Sequence, residues 1–248
     1  MAYKLLIEYD GTDFYGWQIQ PHQRTVQGEL LQAARSLFQD PNLRLFGASR
    51  TDRGVHAMGQ VAAIYTSQTR PLDVIRNALN ALTGPDVVVH EVQEVPDTFH
   101  PRYDALGKRY RYRVLKGRSP LRRRFVWEYP FELDFQVLQE IAKRYQHTKN
   151  FRYLSVGPVE NPEVEIQEVR WEQHEDEYHF VIEADRFLYK MVRTLVGMAV
   201  AVASGRVHME ELKRALRGEP PRRLVIAPPQ GLTLEEVFYP SEDKASGL

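Results

Sequence analysis

The amino-acid sequence predicts an α+β fold made of two ferredoxin-like halves, each with a mostly antiparallel sheet. Three observations lead there. A chain of 248 residues with 43% hydrophobic content can bury a sizeable core, and at roughly 100 to 200 residues per domain it forms one large domain or two small ones. The first hundred residues carry strand patterns and two helix patterns, in an order that packs both helices on one sheet. After residue 104 a similar inventory begins again, with no detectable sequence repeat. The predicted domains are therefore residues 1–104 and 105–248.

The elements follow in order. "YKLLIEY", Tyr3 to Tyr9, is the first strand, and the loop "DGTDFYGWQIQPHQR" follows it. A helix then reads "VQGELLQAARSLFQ", with Thr25 as N-cap and Leu30, Leu31, Ala34, Leu37 and Phe38 on one face. "NLRLFGA" is a short strand and "VHAMGQVAAIYTS" another, so Asp52 sits where one strand turns into the next. Pro71 opens a second helix carrying Leu72, Ile75, Leu79 and Leu82, and "DVVVHEVQEV" is a further strand. In the second half "KRYRYRVL" alternates strictly. Lys108, Tyr110, Tyr112 and Val114 share one face while Arg109, Arg111 and Arg113 share the other. Asp134 caps a helix carrying Phe135, Leu138, Ile141, Ala142 and Tyr145, and the strands "EVEIQEVRWEQH" and "YHFVIEADRF" come next. A helix from Tyr189 to about Ser204, a short helix from about Met209 to Leu216 and a strand around "TLEEVFY" complete the chain.

Composition removes several kinds of chemistry. With no cysteine, disulfides, thiolate zinc sites and cysteine nucleophiles are excluded. "MAYKLLIEYD" is too short an apolar stretch for a signal peptide, and "LVGMAVAVA" falls well short of the roughly 20 residues a membrane span needs. A soluble, cytoplasmic protein with no membrane partner is expected. Net charge is zero, 33 basic residues against 33 acidic, but the distribution is uneven. Arg102 to Arg124 holds ten basic residues and one acid, and Glu160 to Asp185 holds ten acids and one base, which predicts a polarised molecule whose basic segment binds nucleic acid. Arg outnumbers Lys 25 to 8, and a planar guanidinium suits phosphate and stacked bases. Enrichment for ion-pair networks accounts for that ratio but not for the cluster.

Among motifs, absences matter first. There is no phosphate-binding loop ending in Lys-Ser/Thr, no G-x-G-x-x-G after a strand, no H-E-x-x-H and no G-x-S-x-G. "DGTD", Asp10 to Asp13, reads as a Gly-centred turn held by Asp side chains rather than a cation loop, and His56 reads as structural. "GASRTDRGVHAMGQ" sets Asp52 between Arg50 and Arg53. Nearby positive charge favours an ionised carboxylate, and an ionised, partly dehydrated carboxylate is a nucleophile more readily than an acid.

At this point "SRTDRGVHA" resembles the signature of the tRNA pseudouridine synthase A family. "YDGTDFYGWQIQP" with "TVQGELLQA", "FHPRYDALGKRYRYRV", "DRFLYKMVRTLVGMAV" and "APPQGLTLEEVFY" resemble its other blocks, in the family's order, over residues 3 to 239. One departure is Ser49, where many members carry Gly. The resemblance implies isomerisation of uridine to pseudouridine at positions 38, 39 and 40 of the tRNA anticodon stem-loop, with no cofactor and no metal, by a homodimer whose catalytic cleft lies between the halves of each chain. It implies Asp52 as the catalytic carboxylate, attacking the sugar C1′ or the base C6 or promoting elimination to a glycal. Tyr110 would stack on the base and is a proposed acceptor of the C5 proton, although an ordinary phenol pKa of about 10 makes it a weak base. Arg193 would pair with Asp52, on a helix where Arg186, Lys190, Arg193 and Gly197 form one stripe opposite Leu188, Met191, Val192, Leu195, Ala199 and Val202, with Gly197 admitting a close backbone. Leu232 would pack on the base, Arg50 would contact substrate, and Arg109, Arg111 and Arg113 would face phosphates. Two other readings compete: a non-catalytic structured-RNA-binding protein, and a metal-dependent RNA phosphodiesterase using Asp10, Asp13 and Asp52.

Overall fold

The structure is a computed structural model that describes residues 1–240; the end of the predicted second domain, residues 241–248, lies outside the described residues. By packing, the described residues divide into two compact units, residues 1–107 with 234–240, and residues 108–233.

The first unit runs β1 (Ala2–Tyr9), α1 (Val26–Phe38), β2 (Arg44–Gly47), β3 (His56–Tyr65), α2 (Leu72–Leu82) and β4 (Val87–Val95). Its strands lie in the order β4-β1-β3 with β2 also on β3, and every one of these pairs is antiparallel, which is the ferredoxin-like arrangement. Along β1 the side chains Tyr3, Leu5, Ile7 and Tyr9 are buried, and Tyr3 stacks on Phe38 of α1 at 5.7 Å. Thr25 caps α1 by accepting the Gly28 N–H at 3.2 Å. The buried face of α1 is Val26, Gln27, Leu30, Ala33, Ala34 and Phe38, rotated slightly from the predicted one, with Leu31 and Leu37 half-buried at its margin. On α2 only Ile75 and Leu79 are buried; Leu72 and Leu82 remain 40% and 53% exposed, because only the middle of this helix meets the sheet.

The second unit runs β5 (Gly107–Lys116), β6 (Trp127–Tyr129), α3 (Phe135–Gln146), β7 (Ile166–Gln173), β8 (Glu177–Ala184), α4 (Met191–Ala203) and α5 (Met209–Leu216), and β9 (Leu232–Phe238) is the last strand of the described residues. β5, β8 and β7 are consecutive and antiparallel, and the short β6, not foreseen from the sequence, pairs parallel to β5. β9 crosses the boundary at residue 234, and in the first unit it lies beside β3. A Cβ on Gly59 of β3 would stand 2.2 Å from the Glu235 carbonyl oxygen. Asp134 caps α3 through the N–H groups of Gln136 (2.9 Å) and Val137 (3.2 Å), and Leu138, Ile141, Ala142 and Tyr145 are buried as their spacing predicts.

Two expectations are corrected. α4 starts at Met191, because Lys190 sits in the left-handed region at φ 55°. Arg186, Leu188 and Lys190 therefore precede the helix, and the predicted cationic stripe does not form on one helical face. Every residue of α4 except Arg193 is buried, as in a helix packed on all sides rather than an amphipathic one. The charge segments are not segregated either. β5 and β8 pair with Arg109 opposite Glu183, and three arginines of the basic run pair with acids of the acidic one: Arg109–Glu183 at 2.9 Å, Arg111–Glu172 at 3.1 Å and Arg113–Glu177 at 2.7 Å. Among the described residues no helix is long and apolar enough to cross a membrane.

Candidate active site

Asp52 stands in the loop between β2 and β3, half-buried, and the loop is pinned from three directions. From β3, the buried Gln60 side chain accepts the Ser49 N–H (3.2 Å) and donates to the Ser49 carbonyl (2.8 Å). From β1, the Tyr9 hydroxyl meets Thr51 Oγ1 at 2.7 Å. From the loop after β1, Trp17 N–H donates to the Thr51 carbonyl (3.1 Å), and Gly54 N–H donates to the Phe14 carbonyl (3.3 Å). The turn closes on itself when Val55 N–H donates to the Asp52 carbonyl at 3.1 Å, with Gly54 supplying φ 77°.

The two loops meet main chain to main chain, which dictates their glycines. A Cβ on Gly11 would lie 1.9 Å from the Val55 carbonyl oxygen, and one on Gly16 would lie 2.6 Å from that of Thr51. Phe14 and Trp17, both buried, anchor the covering loop. Asp10 behaves as a turn residue, its Oδ1 accepting Thr12 N–H (3.0 Å) and Oγ–H (2.6 Å). His56 is buried, and its Nδ1 accepts the Gly11 N–H at 3.0 Å. "DGTDFYGW" and "SRTDRGVH" are thus one interlocked object. Sequence reasoning treated them separately and missed Tyr9, Trp17 and Gln60; the glycines at 11 and 16 were the signal available.

Arg53 lies over the Tyr15 ring at 4.1 Å, while Arg50 is exposed and makes no ion pair among the described residues. The two arginines that flank Asp52 therefore differ. Asp10, Asp13 and Asp52 form no group close enough to share a cation among the described residues.

In the second unit, Tyr110 is buried on β5 and meets Phe187 edge-on at 5.0 Å. Arg193 Nε donates to the Ala227 carbonyl (2.8 Å), and Ala227 N–H donates to the Arg193 carbonyl (2.9 Å), so this side chain ties α4 to the segment leading into β9. The same segment is held by Tyr112, whose hydroxyl donates to the Pro228 carbonyl at 2.7 Å and whose ring fills the space where a Cβ on Gly231 would stand. Leu232 follows at once, buried at the start of β9. Burial pushes the Tyr112 phenol well above its ordinary value, opposed in part by the Arg193 charge. Tyr112, which the sequence marked only as a face residue, is the link between Arg193 and the Leu232 segment. Gly197 admits a close backbone as expected, since a Cβ there would lie 2.3 Å from the Val225 carbonyl oxygen. Arg109, Arg111 and Arg113 sit on the opposite face of β5 from Tyr110, paired with the acids named above.

Fold and loop together define an α+β protein that presents one carboxylate on a turn preorganised by main-chain contacts. A sequence profile described as tRNA pseudouridine synthase matches residues 5–104 and 141–240. The chain is 39% identical over 241 residues to tRNA pseudouridine synthase A of Acetivibrio thermocellus, covering 95% of this chain and 98% of that one. It is 37% identical to the protein of that name from a Geobacter species over 96% of this chain and 98% of the relative, and 38% identical to that of Citrifermentans bemidjiense over 95% and 96%. A solved structure of a Cbf5-Nop10-Gar1 complex aligns with 95% of this chain and 59% of its own at 9% identity and a TM-score of 0.37. The chain belongs to the tRNA pseudouridine synthase family, a family of isomerases.

Proposed function

We propose that this protein isomerises uridine to pseudouridine at positions 38, 39 and 40 of the tRNA anticodon stem-loop, without a cofactor, with Asp52 as the nucleophile. The observation that carries the reading is the pinned loop. A catalytic carboxylate acts best when its backbone is set before substrate arrives, and contacts from β1, β3 and the 10–17 loop all converge on residues 49–55.

In this reading a stem uridine first leaves the stack, at a cost of about a few kcal/mol, and Arg50 helps hold it out. Asp52 drives cleavage of the N1–C1′ bond and is released again when the turned base joins C1′ through C5; the C5 proton passes to water and N1 takes up a proton in its place. Tyr110 and Leu232 contact the base, with Tyr110 near the departing proton. Arg193 is the ion-pair partner of Asp52. Arg109, Arg111 and Arg113 offer phosphates the donors their carboxylate partners leave over. The working form is a cytoplasmic homodimer. Mapping pseudouridine in tRNA after incubation with wild type and Asp52→Asn tests the proposal. Modification at 38, 39 and 40 by wild type alone is expected, whereas bound but unmodified tRNA would favour a non-catalytic RNA-binding protein.

A further inference from the structure

Outside the proposed active site, the hairpin of β7 and β8 gathers two imidazoles and a carboxylate on one face of the sheet. Glu172 and His179 are direct cross-strand partners. His174 lies two residues beyond Glu172, and its N–H donates to the Glu177 carbonyl at 2.8 Å where the hairpin turns. Residues two apart on an extended strand share a face, so the sequence pattern Glu-x-His-x4-His converges. One ligand atom from each of Glu172, His174 and His179 lies within 4.8 Å of the others, Glu172 Oε2 and His174 Nε2 being 3.5 Å apart, and the two imidazole rings are centred 4.2 Å apart.

The groups behind these side chains aim them. His179 Nε2 lies 2.8 Å from Oε2 of the buried Glu177. Glu177 is held in turn by Arg113 through bonds of 2.7 and 2.8 Å. A carboxylate behind one ring nitrogen is the usual support of a metal-binding histidine, since it fixes the tautomer and directs the other nitrogen's lone pair. Here the other nitrogen is Nδ1. It stands 3.2 Å from Nη1 of Arg111, and that same Nη1 stands 3.1 Å from Glu172 Oε2. A cationic nitrogen already occupies the point between two of the three candidate ligands.

We propose that Glu172, His174 and His179 form a zinc site, the metal taking the place of the Arg111 guanidinium. Two imidazoles and one carboxylate suit zinc rather than calcium or magnesium, which prefer oxygen ligands throughout. Zinc bonds of about 2.0–2.2 Å require the three donors to draw together by roughly an ångström. His174, half-exposed at the hairpin end, has the freedom to close on the other two, and water completes the coordination. The ion would staple the open end of the hairpin.

The test uses the untagged full chain, stripped with a chelator and titrated with zinc against a chromophoric competitor, with cobalt as a spectroscopic substitute. Wild type is expected to bind one zinc per chain and to give the strong visible absorption of four-coordinate cobalt. His174→Gln, an exposed change that spares the core, is expected to weaken binding by about tenfold or more and to abolish that absorption, while His147→Gln leaves both intact. Saturating zinc should raise the thermal midpoint of wild type and not that of His174→Gln. Absence of stoichiometric binding by wild type, or equal binding by wild type and His174→Gln, overturns the proposal.

Discussion

At the scale of single residues, the structure turns a charged motif into a mechanical one. Arg53 packs on Tyr15, and the loop that carries Asp52 is held by close main-chain contacts: a carbonyl under Gly11, another under Gly16, and one buried amide from Gln60. Gly11 is therefore the residue whose change most directly moves the carboxylate without touching it. A methyl group 1.9 Å from the Val55 oxygen cannot be absorbed by a side-chain rotation, so Gly11→Ala must push the two loops apart. A displacement of about 1 Å costs on the order of a hundredfold in rate. Gly11→Ala is expected to lose about that much kcat while tRNA binding, measured by filter retention, stays near wild type. The place of Asp52 in a turn between two strands was legible in the sequence, because strand patterns flank the charged stretch on both sides. Gln60 was not, since a glutamine in an apolar strand reads as a solvent-facing position until the ladder shows that both its amide groups replace strand hydrogen bonds.

At the scale of elements, periodicity served well where one face packs and the other is wet. Thr25, Asp134 and the strict alternation of β5 all appear where the sequence put them. It misled for α4, which is buried on every side and so carries no amphipathic signal; its start is set by Lys190 adopting a left-handed conformation. The charge segments misled for a related reason. A count along the chain does not know that β5 and β8 are neighbours, so the bases and acids looked like opposite surfaces when Arg109, Arg111 and Arg113 pair with Glu183, Glu172 and Glu177 on one sheet. Gly197 is the element-scale prediction. A Cβ there meets the Val225 carbonyl at 2.3 Å and the Ala227 nitrogen at 2.8 Å, both backbone atoms. Overpacking of this kind costs about 1–3 kcal/mol. Gly197→Ala should lower the urea midpoint accordingly, and an unchanged midpoint would mean that this backbone approach is not a real constraint.

At the scale of the whole molecule, buried tyrosines tie stability to alkaline pH. Burial raises the phenols of Tyr112, Tyr145 and Tyr239 above their ordinary value of 10.0. A raised value in the folded state means the unfolded chain loses these protons first. Their contribution is fully present below pH 10.0 and is lost as pH rises through the folded values. Ultraviolet titration should find these phenols silent until the protein unfolds, and urea midpoints should fall steadily above about pH 10. Tyr112→Phe should reduce that slope and also loosen the segment before β9, by about 1 kcal/mol for the lost hydrogen bond. The most direct measurement of the central claim returns to Asp52. With tritium at uridine C5, every turnover releases the label to water, because C5 must exchange its proton for the sugar. Wild type should release tritium from anticodon-stem uridines, and Asp52→Asn, folded and still binding tRNA, should release none. Turnover by Asp52→Asn at a rate near wild type would contradict the account.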